Sequence, residues 1–213
     1  FVPGGALPVP AGDAVVPVVN RLQPCFDLVV ATQDWHPADH GSFAVNHPGR
    51  KPGEVIELNG LRQILWLVHC VQNTRGAAFV AGLDMRRVAR VFPKGTDPGI
   101  DSYSGFFDNG HRQATGLGDY LQQRKVADVF IVGLATDYCV KATALDARKA
   151  GLEVIVLTDA IRGVDVRHGD CVRALEEMRA AGVESHSNSC RPRLTRSNPQ
   201  ADIKSCVLIC VRA

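Results

Sequence analysis

Residues 133–143, Gly-Leu-Ala-Thr-Asp-Tyr-Cys-Val-Lys-Ala-Thr, constrain this chain more than any other stretch. Before them runs Val129-Phe130-Ile131-Val132, short, apolar and rich in β-branched residues, the pattern of a buried strand. After them Val140, Thr143, Ala144, Ala147 and Ala150 recur at helical spacing up to Gly151, which reads as a helix with a glycine stop. Cys139 therefore falls where a strand turns into a helix. Unpaired backbone N–H groups and the positive end of a helix dipole favour a thiolate there, and the same groups can hold an oxyanion. A cysteine in isolation is most often structural. The strand–turn–helix setting is what makes this one a candidate nucleophile.

The rest of the pattern alternates strands and helices. A helix is expected over 14–23, then a strand over 28–32 delivering Asp34-Trp35-His36-Pro37. Residues 37–62 show little periodicity and read as a long functional loop. A short helix is expected near 75–83, a strand over 88–92 delivering Lys94, a helix over 112–124, a strand over 153–157 ending at Asp159, and a helix over 168–181. This order implies an α/β fold, a parallel sheet with helices on both faces, in which ligands bind beyond the carboxyl ends of the strands. Asp34, His36, Lys94, Cys139 and Asp159 all fall at or just past such ends, and that convergence is the main argument for a site.

With 213 residues and 46% hydrophobic content, the chain can bury a real core as one domain. No apolar run reaches membrane-spanning length and no basic-then-apolar segment opens the sequence, so a cytoplasmic location and no membrane partner are expected. The seven cysteines are scattered without paired spacing, which favours free thiols. Of the basic residues, Arg191, Arg193, Arg196, Lys204 and Arg212 lie beyond Cys190, against the single acid Asp202. The net charge of +2 thus belongs to the tail and makes no case for nucleic acid. Self-association into a homo-oligomer stays open.

Asp34-x-His36 in an extended segment puts both side chains on one side. With a histidine from elsewhere they would form a divalent-metal site with open positions; His69 is the best third ligand, His40 and His47 weaker ones. An isolated D-x-H is more often an ordinary strand end. Lys94 would be a solvated lysine in most contexts, but here neighbouring strands deliver Asp34 and Cys139, so its cation would hold the thiolate. Trp66, Tyr103 and Phe106 fall in segments that should rim the same pocket.

Taken together, Gln33-Asp34-Trp35-His36-Pro37, His40-Gly41-Ser42-Phe43, His69-Cys70-Val71-Gln72-Asn73, Lys94-Gly95, Asp101-Ser102-Tyr103-Ser104, residues 106–110 and residues 133–143 resemble the nicotinamidases (pyrazinamidases) of the isochorismatase-like cysteine hydrolases. The resemblance runs over about residues 1–187. It implies a three-layer sandwich and an amidohydrolase that converts nicotinamide, and pyrazinamide, to nicotinate and ammonia through a cysteine thioester in NAD salvage. Cys139 becomes the nucleophile and Lys94 the basic member of an Asp–Lys–Cys triad. Asp34, His36 and His69 become ligands of a zinc, iron or manganese-type ion. Phe1, Trp66, Tyr103 and Tyr138 border the aromatic ring. The N–H groups of Ala135 and Cys139 form the oxyanion hole, after a cis peptide before Ala135.

Three departures bear on that reading. The family opens with a central strand and an Asp-x-Gln-x-Asp-Phe motif, and this sequence starts at what matches the Phe. The strand and its acid–base Asp are thus expected to be missing. Leu67-Val68 stand where the family has Pro-Asp, which touches how His69 is oriented. Residues 188–213 match nothing in the family and are expected to be a disordered tail. Two other readings remain: another isochorismatase-like cysteine amidase, against which the D-x-H…H set argues, and a catalytically impaired fragment that binds only metal or ligand, which the missing Asp favours.

Overall fold

The computed structural model describes residues 1–187 and the backbone of 204–210. Strand β1 (Leu28–Asp34) follows helix α1 (Val15–Leu22), and β4 (Val88–Lys94), β5 (Val126–Leu134), β6 (Glu153–Arg162), β7 (Glu184–His186) and β8 (Lys204–Cys210) complete a six-stranded sheet. Its order is β4-β1-β8-β5-β6-β7, and every pairing in it is parallel. Helices α2 (Leu117–Gln123), α3 (Lys141–Lys149) and α4 (Asp170–Ala180) lie between the later strands.

The three layers follow from period-two side chains on strands buried on both faces. Leu28 and Val30, Val129 and Ile131, and Val154 and Val156 pack with Leu117 and Leu121 of α2, Ala144 and Ala147 of α3, and Met178 of α4. Their neighbours Val29, Ala31, Val132, Ile155 and Leu157 point the other way, onto Val15, Val16, Val19 and Leu22 of α1. The isochorismatase-like α/β sandwich expected from the sequence is the observed fold.

The centre of the sheet differs from expectation. No strand is missing there: β8 pairs with β1 from Leu28↔Cys206 to Ala31↔Ile209, and with β5 from Val126↔Lys204 to Gly133↔Cys210. Residues 188–213 are therefore not a wholly disordered tail; those outside 204–210 lie beyond the described residues. The physical reason is that β1 and β5 would otherwise face each other with unpaired N–H and C=O groups, and Cys206-Val207-Leu208-Ile209 is an apolar run of the type a strand buried on both faces needs.

Smaller differences concern boundaries. The expected loop over 37–62 contains half a hairpin, β2 (Val55–Leu58) paired antiparallel with β3 (Leu61–Ile64). The helix expected near 75–83 is a single 3-10 turn, Arg75–Ala77, and α2 starts only at Leu117 because Gly116, at φ 87°, caps it. Strand β6 runs on through Arg162, so Asp159 lies inside the strand rather than past its end. Cys70, Cys139 and Cys171 are free thiols as expected, whereas Cys25 is disulfide-bonded. No helix among the described residues is long and apolar enough to cross a membrane.

Candidate active site

The parallel register of β1 and β4 sets Asp34 opposite Lys94. Both side chains are buried, and Lys94 Nζ lies 2.5 Å from Asp34 Oδ1. The same ammonium donates to the Ser102 carbonyl at 2.5 Å and to Cys139 Sγ at 3.4 Å. Two of its N–H donors thus have hydrogen-bond acceptors, and the contact with Asp34 is an ion pair. Cys139 reaches it from a single π-helical turn, Thr136–Val140, that precedes α3 rather than from the first turn of an ordinary α-helix. Such one-turn π segments recur at functional sites. The peptide bond between Leu134 and Ala135 is cis.

His36 and His69 are brought to Asp34 by a short parallel ladder. His36 N donates to Cys70 O at 3.0 Å and Gln72 N to His36 O at 2.8 Å, which lays residues 69–72 alongside 34–36. Ligand atoms of Asp34, His36 and His69 lie within 4.8 Å of one another, and all three residues are buried. His36 Nδ1 is 2.8 Å from Gly95 O and His69 Nδ1 is 2.7 Å from Leu67 O. A carbonyl only accepts, so each neutral ring carries its proton on Nδ1 and keeps the Nε2 lone pair free for an electrophile. The Leu67-Val68 departure thus leaves His69 oriented: its partner is the backbone of residue 67, whatever the side chain.

Burial lowers the pKa of His36, and holds those of His40 at about 4 and His69 at about 3, with His36 as the next cause in both. Each folded value lies below 6.5, so the unfolded chain binds the extra protons as pH falls below about 6.5, and stability is lost through that window toward pH 4. His40 and His69 should each cost roughly 1–2 kcal/mol by pH 5 relative to pH 7. The metal-free protein should therefore melt several degrees lower at pH 5, and His40→Gln should flatten the profile. A melting temperature that does not change between pH 7 and 5 would contradict this burial of neutral imidazoles.

Beyond the carboxyl ends of the strands lies a small, partly open cavity of about 40 Å³. Phe1, Trp66, Tyr103 and Tyr138 line it, together with Asp34, His36, His69, Ala135 and Cys139. The Trp66 indole donates to Tyr103 Oη at 3.2 Å, and Tyr138 meets Trp66 and Tyr103 edge-on at 5.0 and 5.4 Å. Burial raises the Tyr138 phenol to about 12 and that of Tyr103 as well, so both keep their protons. The residues singled out from the sequence meet at or beside this cavity, except that Asp159 does not, Phe106 is buried in the core, and His47 turns to Gly41. His40 bonds Ser42 through Nδ1 while its ring lies beside His36, in a second cluster with Asp101.

Leu7, Val164 and Asp101 complete the lining; Asp101 falls in one of the segments that carry the resemblance, whereas Leu7 and Val164 carry no signal of their own in the sequence. Asp137 could have been read from its place in the turn: its buried carboxylate accepts from Val164 N at 3.0 Å and Asp165 N at 2.8 Å, fastening one wall.

Thiol reactivity offers a direct check. Burial, then Asp137 and Asp165, raise Cys171 to about 12, and burial raises Cys70 to about 12. Cys139 instead faces the Lys94 ammonium and opens on the cavity, an arrangement that favours its thiolate. Iodoacetamide at neutral pH should modify Cys139 at least about tenfold faster than Cys171, read by peptide mass spectrometry; equal rates would remove the basis for a nucleophile.

Comparison with known proteins agrees with this geometry. The isochorismatase domain matches residues 1–188. The chain is 50% identical to the nicotinamidase of Escherichia coli over 187 residues, covering 86% of this chain and 87% of the relative. Among solved structures, the nicotinamidase/pyrazinamidase of Acinetobacter baumannii is 44% identical with a TM-score of 0.85, over 88% of this chain and 90% of its own. The pyrazinamidase of Pyrococcus horikoshii in complex with zinc is 42% identical with a TM-score of 0.72, over 88% and 93%. With the cysteine, the lysine and the Asp-His-His cluster assembled on this fold, the chain belongs to the isochorismatase-domain family, on its nicotinamidase branch.

Proposed function

We propose that this protein hydrolyses nicotinamide, and the related pyrazinamide, to the carboxylic acid and ammonia, and so serves NAD salvage in the cytoplasm. The observation that carries the reading is the Lys94 ammonium held between Asp34 Oδ1 and Cys139 Sγ at the wall of an aromatic-lined cavity. The rings of Phe1, Trp66, Tyr103 and Tyr138 suit a flat heteroaromatic amide. Lys94 stabilises the thiolate as a fixed cation; ion-paired with Asp34, it is not a base. The thiolate of Cys139 attacks the amide carbon, forming the C–S bond, while the N–H groups of Ala135 and Cys139 receive the negative oxygen. The C–N bond then breaks, and the proton that left the thiol ends on departing ammonia. Water adds to the thioester, the C–S bond breaks, and the acid leaves with Cys139 restored.

The donor set of Asp34, His36 and His69 fits a divalent cation: one carboxylate and two imidazoles with free Nε2 lone pairs, all buried. A divalent ion held by these residues would supply Lewis-acid chemistry beside the cavity. We expect His69→Ala to lower zinc affinity by at least about 100-fold, since it removes a ligand outright. Calorimetry with zinc on the metal-stripped proteins tests this, and equal affinity in both would reject the assignment. The function itself is tested by ammonia release from nicotinamide with nicotinate identified as co-product; saturable turnover supports it, and none at millimolar substrate rejects it.

A further inference from the structure

We propose that Asp101 and Gln63 are positioning residues that aim the Lys94 ammonium at Cys139, an inference that rests on the proposed reaction for its kinetic readout only. Of the three groups around Lys94 Nζ, the ion-paired Asp34 stands on a strand and Cys139 on a helical turn, but the Ser102 carbonyl belongs to an irregular loop. A loop carbonyl holds a cation in place only if the loop is itself fixed. Asp101 Oδ1 accepts from Ser102 N at 2.8 Å, which orients the residue whose carbonyl faces Lys94. Asp101 Oδ2 accepts from Gln63 Nε2 at 3.1 Å.

Gln63 uses its second amide hydrogen on Ile64 O at 2.6 Å, so both donors are committed. It is 3% exposed and stands on β3, in the hairpin outside the main sheet. The ordinary account of such a pair is that two buried polar groups satisfy each other. Here the pair ends one residue from the acceptor of the ammonium that touches the nucleophile. Small displacements there matter: a misplacement of about 1 Å costs up to about 100-fold in rate.

The variants separate geometry from charge. Asp101→Asn keeps an oxygen for Ser102 N but not the Gln63 link, because turning the Gln63 amide over would set its Oε1 against the Ile64 carbonyl. Asp101→Ala loses both, and Gln63→Leu breaks the link with the carboxylate left in place. Asp101→Ala and Gln63→Leu should lower kcat for ammonia release about 10- to 100-fold with KM within about twofold. Both should slow iodoacetamide modification of Cys139 by a similar factor and leave Cys171 unchanged, while Asp101→Asn, which keeps the bond to Ser102 N, should fall between wild type and Asp101→Ala in both rates. Equal losses in Asp101→Asn and Asp101→Ala would overturn the proposal, as would unchanged rates in Gln63→Leu, or a Cys171 that reacts faster in step. The alkylation series needs no substrate, so it decides the point even if the wild type releases no ammonia from nicotinamide.

Discussion

Cys139→Ala should abolish ammonia release from nicotinamide, by at least about 10³-fold in kcat/KM, while the protein melts within a few degrees of wild type and still takes up zinc. Among the described residues that line the cavity, the thiol is the group placed beside the Lys94 cation to form a covalent bond, and its loss leaves binding alone. Its replacement removes a small buried side chain and breaks one long contact with Lys94, so stability barely changes. Lys94→Met is the informative companion. It should also lose activity, but it leaves Asp34 as a buried carboxylate without its cation, and breaking such a pair costs about 3–5 kcal/mol. The two variants should therefore look alike in the assay and different in a melt. Retained turnover in Cys139→Ala would mean that the chemistry runs elsewhere.

The second large effect concerns the middle of the sheet. Val207 pairs with Val29 on one side and Phe130 on the other. Proline there removes a ladder N–H in the most enclosed part of the sheet and should cost about 3 kcal/mol or more. At this chain length that lowers the melting temperature by roughly 6–12 °C. Ser185→Pro, in β7 at the end of the described strand order, should cost far less. Removing residues 204–213 altogether leaves β1 and β5 with facing rows of unpaired groups, each costing about 1–3 kcal/mol if buried unsatisfied, which exceeds a typical stability of roughly 5–15 kcal/mol. No cooperative melt should survive. A Val207→Pro protein that melts like wild type would show that some other segment occupies the slot.

What could be read beforehand depended on how local the signal was. The β5–turn–α3 unit announces itself because a β-branched run changes to helical spacing around one cysteine, all within a few turns of chain. Asp34, His36 and Lys94 were legible because parallel sheets place strand ends together, whatever lies between them. The role of Leu67 was invisible, since a backbone carbonyl orients His69 and no side chain records it. Gln63 was hidden for a different reason: a glutamine on a short hairpin looks solvent-facing until the hairpin folds over Asp101. The β8 strand was missed because composition around it shifts abruptly, and that shift masked an apolar run of the kind a two-sided strand requires, residues 206–211.

The register that sets Asp34 opposite Lys94, and the turn that brings Cys139 to the same ammonium, join residues 60 and 45 positions apart in sequence. No local segment contains even two members of this contact. Loop-closure entropy has to be overcome for every pairing before the three groups meet, and sheets built this way assemble slowly. The reactive cluster thus comes into being with the last long-range pairings rather than with the first helices. During refolding from denaturant, helical signal should return early and alkylation-sensitive Cys139 late, so that enzymatic activity reports completion of the whole sheet.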